Sequence, residues 1–257
     1  MDKQHRTQTT ILPANIPHPN PLTNTPTQAI LNPMPTDAII VAAGSSRRFG
    51  PADKLTANLL GRPVIAWTLA AFQATSGLGN LIIVTAPGRE AEYHQIAAQT
   101  CPRAQWRIVT GGPRRRDSVE AGLHAATTTY VAIHDGARPL VTPTLIQRVI
   151  AAAQGRPGAI AAVPVTDTIK EVHHGIITAH PDRSHLWAAQ TPQVVLRQAW
   201  LQAAATSDND ETDDAAMLSR LGLQCTIVES SPDNLKITRP IDLDLAAQIL
   251  TTREPAP

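Results

Sequence analysis

Cysteine is scarce: Cys101 and Cys225 are the only two in 257 residues. That is too few for a disulfide framework, and their spacing fits no C-x-x-C or metal-ligand pattern. Both are read as buried thiols of a protein in a reducing cytoplasm. Long apolar runs are missing too, since stretches such as Leu81 to Ala86 are far too short to cross a bilayer. Charge of one sign is also lacking. A formal net charge of +1 calls for neither nucleic acid nor an anionic membrane surface, so any anion binding has to be local. His173, His174, His180 and His185 match no H-E-x-x-H or finger spacing, and they read as part of a solvated hairpin rather than a metal cluster. Trp67, Trp106, Trp187 and Trp200 are scattered at element boundaries, as core residues rather than stacking platforms.

What is present is a 42% hydrophobic chain long enough to enclose a core as one α/β domain. Residues 1–36 stand apart. They are rich in Pro, Thr and Asn without helical or strand period, as in a disordered tail, and they show neither an apolar signal core nor a transit-peptide composition. Met34, just ahead of the first strand, offers an alternative start.

Over residues 37–257, short β-rich runs alternate with helical stretches, the pattern of a mostly parallel sheet with helices on both faces. Strands are expected at 38–43, 81–86, 106–110, 130–134, 159–163 and 225–229. Pro63 is placed in the first turn of a helix carrying Ile65, Leu69 and Phe72, with Gly77 as its stop. Thr142 as N-cap, Pro143, and then Leu145, Ile146, Val149 and Ile150 repeat the device, ending at Gly155. Further helices are expected at roughly 194–206 and 212–221, and a last one begins at Pro240. The segment 165–187 breaks the rhythm. Thr, Val and Ile alternate with polar residues around "HHG", as in a hairpin arm serving either dimerisation or the sheet edge of one subunit.

In such a sheet ligands bind beyond the carboxyl ends of the strands. The first expected strand ends in Ala42, Ala43, Gly44, Ser45, Ser46, Arg47 and Arg48, with Lys54 close behind. Small residues let backbone N–H groups approach an anion and arginines grip phosphate oxygens, although a tight turn with solvated arginines would account for the stretch alone. Five residues separate Gly44 from Gly50 and Pro51 follows, so the P-loop pattern fails. A dinucleotide fingerprint fails as well, because only Gly44 stands in the turn and the helix is delayed past Gly61.

The strand 106–110 is followed by "TGGPRRRDSV", where Gly111 and Gly112 permit close approach and Asp117 or Ser118 is expected to cap a helix starting near Val119. After 130–134 comes "HDGARP", with Asp135 ahead of Arg138, as a simple ion pair, a charge balancer or a ligand for a divalent ion riding on phosphates. "AAQTPQV", "ETDDAA" and "NLKITRP" supply Thr191 and Thr212, which read equally well as helix caps, and Lys236, one more cation on the same side.

Taken together, "AAGSSRRFG…DK", "GGPRRRDSV", "HDGARP", "PVTDTIK", "DRSHLW…TPQ", "TDDA" and "NLKITRP" resemble, in order and interval, the 2-C-methyl-D-erythritol 4-phosphate cytidylyltransferase family over about residues 37–252. The resemblance implies a single Rossmann-like α/β domain with a projecting β-hairpin dimerisation arm, a CTP-dependent nucleotidyltransferase of the non-mevalonate isoprenoid pathway. It implies a CTP cradle of Ala42, Ala43, Gly44, Gly112, Ser118, Gly136 and Arg138, and Arg48, Lys54 and Lys236 as catalytic cations. Asp135, Thr168, Arg183, Thr191 and Thr212 would meet methylerythritol phosphate, with Thr168 and Arg183 reaching a partner subunit's pocket. Mg²⁺, held mostly through the CTP phosphates and by Asp135, would be the cofactor, and the enzyme a cytoplasmic homodimer.

The chain departs from the family pattern at Pro113, where an acidic residue commonly stands and where proline offers no N–H to the base, and at Val41 and Leu55. A ribitol 5-phosphate cytidylyltransferase, a silent nucleotide-binding homologue and an NAD-dependent oxidoreductase are the competing readings. Thr168, Lys170 and the Asp182–Arg183 pair favour the methylerythritol enzyme, the intact cations disfavour the second, and the failed fingerprint disfavours the third.

Overall fold

A computed structural model describes residues 35–44, 48–50, 53–206 and 209–253. All but the last two residues of the expected tail, and Ser45, Ser46 and Arg47, lie outside these. Along the chain come β1 (Thr36–Ala42), a short ribbon of β2 (Asn58–Leu59) and β3 (Arg62–Pro63), α1 (Val64–Gln73), β4 (Leu78–Thr85), α2 (Glu90–Thr100), β5 (Trp106–Thr110), α3 (Arg115–Ala125), β6 (Tyr130–Asp135), α4 (Pro143–Ala153) and β7 (Gly158–Pro164). The hairpin β8 (Glu171–His173) and β9 (Ile176–Ala179) follows, then β10 (Trp187–Leu196), α5 (Arg197–Thr206), α6 (Asp214–Ser219), β11 (Thr226–Glu229) and α7 (Ile241–Thr252).

Seven strands form one sheet in the order β11-β7-β10-β6-β1-β4-β5. β1 lies between parallel β4 and β6, and its side chains split by period two, as strand pleating requires: Ala38, Ile40 and Ala42 join one core, Ile39 the other. The first core is closed by Ile65, Leu69 and Phe72 of α1, Tyr93 and Ala97 of α2, and Ile146 and Val149 of α4. Val119 and Leu123 of α3, Trp200 and Ala203 of α5, and Met217 and Leu218 of α6 close the second. A third, smaller cluster packs Phe49 and Leu59 against Ile237 and Ala246 of α7, and so ties the ribbon region to the segment that carries Lys236.

Several local signals hold. Thr142 Oγ1 accepts from Leu145 N at 3.2 Å with Pro143 at the first helical position. Gly77 and Gly155 take the left-handed conformation. In the arm, His174 and Gly175 both have positive φ, as a two-residue hairpin turn demands.

The largest departure is β10. A loop and a helix from 194 were expected, but residues 187–196 are a strand running antiparallel between β6 and β7. Pro192 masks it in the sequence, because proline cannot donate to a ladder. Here the register shifts between Ala189 and Gln193, and Pro192 stands in that gap, so no ladder bond is lost. α5 accordingly starts at Arg197, and the sheet is mostly parallel, as expected, with β10 as its antiparallel strand. Pro63 ends β3 and precedes α1 instead of lying in its first turn. α3 starts four residues earlier than Val119, with Arg114 at the N-cap and Asp117 inside the first turn accepting from Arg114 N at 3.1 Å. Asp213, not Thr212, caps α6, its Oδ1 accepting from Ala216 N at 2.8 Å. Cys101 is buried and Cys225 half-buried, both as free thiols. Among the described residues no helix is long and apolar enough to cross a membrane.

Candidate active site

The carboxyl ends of β1, β5 and β6 open on a cleft of about 530 Å³. Ala43, Gly44, Lys54, Gly112, Ser118, Asp135 and Lys236 line it, together with Pro113, Arg114 and Arg115. Close packing explains the paired glycines. A Cβ on Gly111 would sit 2.8 Å from Ala43 Cβ and push the β5–α3 turn away from the β1 loop, and one on Gly112 would sit 2.5 Å from Asp117 Cβ and push it off the first turn of α3. Ser118 is buried, with its hydroxyl 3.3 Å from Gly112 O and 3.2 Å from Arg114 O.

Asp135 is the electrostatic centre. Lys236 Nζ lies 2.8 Å from its carboxylate, Arg115 Nε 3.6 Å and Arg138 Nε 3.7 Å. Burial alone would raise its pKa, but Lys236, Arg115 and Arg138 hold it well below the usual carboxylate range. Asp135 is therefore an ionised counter-charge. With three cations on its two oxygens it is not an open metal ligand, and among the described residues no cluster of three His, Cys, Asp or Glu could hold an ion.

Lys54 is half-buried across the cleft. Burial lowers its pKa first, Lys236 and Arg48 lower it further, and Asp135 and Asp53 oppose them. Long-range contacts place Lys236: Ile237 is fully buried and donates its N–H to Ala137 O at 2.8 Å. Asn234 reaches Gln190 Oε1 and Thr191 O, both at 2.9 Å, while Arg138 Nη1 holds Asn234 O at 2.7 Å.

Behind Asp135 runs a directional chain. His134 is wholly buried, and burial, outweighing the nearby Asp135, pushes its pKa down to about 3, so the ring is neutral. Its Nε2 faces Arg138 O at 3.3 Å, a carbonyl that can only accept, so Nε2 carries the proton and Nδ1 accepts from Thr191 Oγ1 at 3.0 Å. Thr191 Oγ1 in turn accepts from Asp135 N at 3.1 Å. Thr191 is thus a strand residue that supports the Asp135 turn and not a helix cap.

The other expected residues fall outside the cleft wall. Ala42 is buried beneath it, and Gly136 stands behind it, donating its N–H to Val41 O at 3.0 Å. Arg138 points its guanidinium at Asn234 O. Arg48 is exposed, near enough to Lys54 to weigh on its charge. Thr212 is exposed and precedes the α6 cap. Thr168 and Arg183 lie exposed at the base of the arm, Arg183 donating to Thr166 O, and this chain's own cleft does not include them.

Arg115 was not singled out from "PRRRD". Its Nη2 donates to Asp214 Oδ2 at 2.7 Å while its Nε faces Asp135. Asp214 is buried and also accepts from Trp200 Nε1 at 3.1 Å. The neighbours differ: Arg114 pairs with Asp117, and Arg116 turns inward to Ala204 O and Asn209 O. The available signal was helical phase, concealed by the misplaced helix start.

Cations converging from separate strand ends on a cleft of close-packed glycine loops define the class as an α/β nucleotidyltransferase. The family model for 2-C-methyl-D-erythritol 4-phosphate cytidylyltransferase matches residues 36–252. Relatives bearing that name in Synechococcus elongatus and Nostoc punctiforme are 44% and 40% identical, over 84% of this chain and 96% and 98% of theirs. The crystal structure of 4-diphosphocytidyl-2C-methyl-D-erythritol synthase from Anaerococcus prevotii superposes with a TM-score of 0.76 at 26% identity, covering 85% of this chain and 99% of the other. That of the cytidylyltransferase from Thermus thermophilus gives 0.70 at 30% identity, covering 85% and 100%. The chain belongs to the 2-C-methyl-D-erythritol 4-phosphate cytidylyltransferase family.

Proposed function

We propose that this chain transfers CMP from CTP to 2-C-methyl-D-erythritol 4-phosphate, releasing pyrophosphate, in isoprenoid precursor synthesis, with Lys54 and Lys236 as its principal catalytic cations. The observation that carries the assignment of roles is the pair of lysines facing one cleft around ionised Asp135. A phosphate oxygen of the methylerythritol substrate attacks the α-phosphorus in line. The bond from that phosphorus to the bridging oxygen breaks, and pyrophosphate leaves with the electron pair. No protein nucleophile is required; the chain supplies position and fixed positive charge.

Lys54, with its charge incompletely balanced, is suited to the developing negative charge, and Arg48 stands beside it. Asp135 keeps Lys236 and Arg115 from repelling one another before the anions arrive. The Gly44 and Gly112 loops and Ser118 form the nucleotide side. The described residues do not fit a protein-held divalent ion, because Asp135 is already ion-paired, so the steps above run on side-chain cations. A Mg²⁺ cofactor belongs to this reading as an ion that arrives on the CTP phosphates.

The working form is a cytoplasmic homodimer. Val172, Ile176 and Ile177 expose half or more of their surface on the arm, 51%, 70% and 51%, and such apolar exposure suits a partner. Thr168 and Arg183, outside their own cleft, would complete the partner's acceptor pocket. Residues 1–36 are dispensable in this reading, and 37–257 form the working domain.

The test is pyrophosphate release by the purified full chain with Mg²⁺, offering CTP against ATP, GTP and UTP, and methylerythritol 4-phosphate against ribitol 5-phosphate. Release with CTP and methylerythritol 4-phosphate is expected, and Lys54→Ala should lower turnover by roughly 10²–10³. Release with ribitol 5-phosphate alone overturns the acceptor, and no release with any pair supports a silent homologue.

A further inference from the structure

Lys54 sits in a turn whose geometry depends on its neighbour. Asp53 Oδ1 accepts from Leu55 N and its main-chain oxygen from Ala57 N, both at 3.1 Å, so residues 53–57 close on themselves. Leu55 O then accepts from Ile65 N at 2.9 Å, which fastens the turn to the start of α1. The second Asp53 oxygen, Oδ2, is taken by Arg89 Nη1 in a short ion pair.

Arg89 comes from the β4–α2 loop, at the N-cap of α2 and two residues beyond Pro87, which lines the cleft. Its own side chain is held from two sides. Glu92 Oε2 accepts from Nε at 2.8 Å and lies 2.7 Å from Nη2, and the guanidinium stands 5.3 Å over the ring of fully buried Tyr93. Tyr93 and Leu55 belong to the same core cluster, so both ends of the ion pair rest on one rigid floor. Burial works against the Arg89 charge, but the hydrogen bonds to Asp53 and Glu92 outweigh it and raise its pKa above the ordinary arginine value.

Asp53 is the carboxylate adjacent to Lys54, and its side chain is only 17% exposed. A carboxylate so placed takes the nearest cation it can reach. With Arg89 present that cation is the guanidinium. Without it, the nearest in sequence is the Lys54 ammonium, whose positive form Asp53 already favours.

We propose that the Arg89–Asp53 ion pair is a positioning device for Lys54: it closes the turn at the cleft mouth and diverts the Asp53 carboxylate, so that the lysine's charge stays available to phosphate. The inference rests on the reading of Lys54 as a cation acting on the transferred phosphate. Arg89 touches no reacting atom and acts through its neighbour.

Steady-state pyrophosphate release by the full chain with CTP and methylerythritol 4-phosphate, from pH 6 to pH 10, tests it. Arg89→Ala should lower kcat by roughly ten- to hundredfold with a smaller change in KM for CTP. Its alkaline limb of kcat/KM should move to higher pH, because a released Asp53 carboxylate stabilises protonated Lys54 and activity falls only as pH passes the lysine's raised pKa. Arg89→Lys should be intermediate. Adding Asp53→Asn to Arg89→Ala should recover part of the rate and move the limb back, since the amide keeps the Oδ1 acceptor and loses the charge.

Wild-type rate and profile in Arg89→Ala would sink the proposal. So would a loss that Asp53→Asn does not relieve and that the thermally unfolded fraction accounts for. Lys54→Ala separates the two layers: if it keeps its rate, the reading of Lys54 fails and takes this inference with it. If it is inactive while Arg89→Ala is normal, only the positioning device fails.

Discussion

Acidification from pH 7 to pH 5 should weaken the fold through His134. The ring is wholly buried and neutral, its pKa pushed from 6.5 down to about 3 chiefly by burial. Unfolded, it returns to about 6.5 and binds a proton as the pH falls. A histidine with a depressed folded pKa therefore costs nothing above 6.5 and destabilises progressively below it, until the native ring also titrates near 3. At pH 5 the unfolded state is favoured by RT ln(1 + 10^1.5), about 2 kcal/mol. Carboxylates with lowered pKa, such as Asp37 and Asp135, lose their contribution only below about 4, the ordinary aspartate value, outside this window.

The assay is urea unfolding followed by tryptophan fluorescence at both pH values, for the wild type and for His134→Asn. Asparagine keeps a donor and an acceptor but does not titrate. The wild type should lose about 2 kcal/mol more than the variant between pH 7 and pH 5. Equal losses would refute the neutral buried imidazole, and with it the tautomer that orients Thr191 toward Asp135.

Gly122→Ala should destabilise by about 1–3 kcal/mol in the same unfolding assay, because the new Cβ would stand 2.7 Å from Cγ2 of fully buried Ile39 and push α3 off β1. Unchanged or higher stability would mean that the α3–β1 contact is slack. Ile176→Asp, at a side chain 70% exposed, should leave the monomer fold intact and shift the sedimenting mass from dimer toward monomer. An unchanged dimeric mass would overturn the arm as the contact of the proposed homodimer, and a monomeric wild type would overturn the proposed homodimer itself.

Local chemistry was legible wherever a residue's role depends on its immediate neighbours. Thr142 and Pro143 announce a helix start because cap and proline act within one turn. The hairpin turn at His174 and Gly175 follows the same logic. "ETDDAA" misled for the converse reason: Thr212 and Asp213 are equally good cap types, and packing put the cap on Asp213 while burying Asp214 against Trp200. β10 was hidden because its proline is tolerated only where a register shift between two neighbouring strands leaves no bond to make, a fact about the sheet and not about the segment.

The sequence by itself determined the α/β class, the strand ends that carry cations, and Lys54, Asp135 and Lys236 as members of one cleft, since period-two and capping signals are short-range and strand ends in a parallel sheet share one edge. Only the tertiary structure decided which of three adjacent arginines reaches Asp135, that Thr191 supports Asp135 through neutral His134, and that Arg89 holds Asp53. These are contacts between residues 20 to 99 positions apart. Their geometry is set by how helices pack on the sheet, which no local pattern encodes.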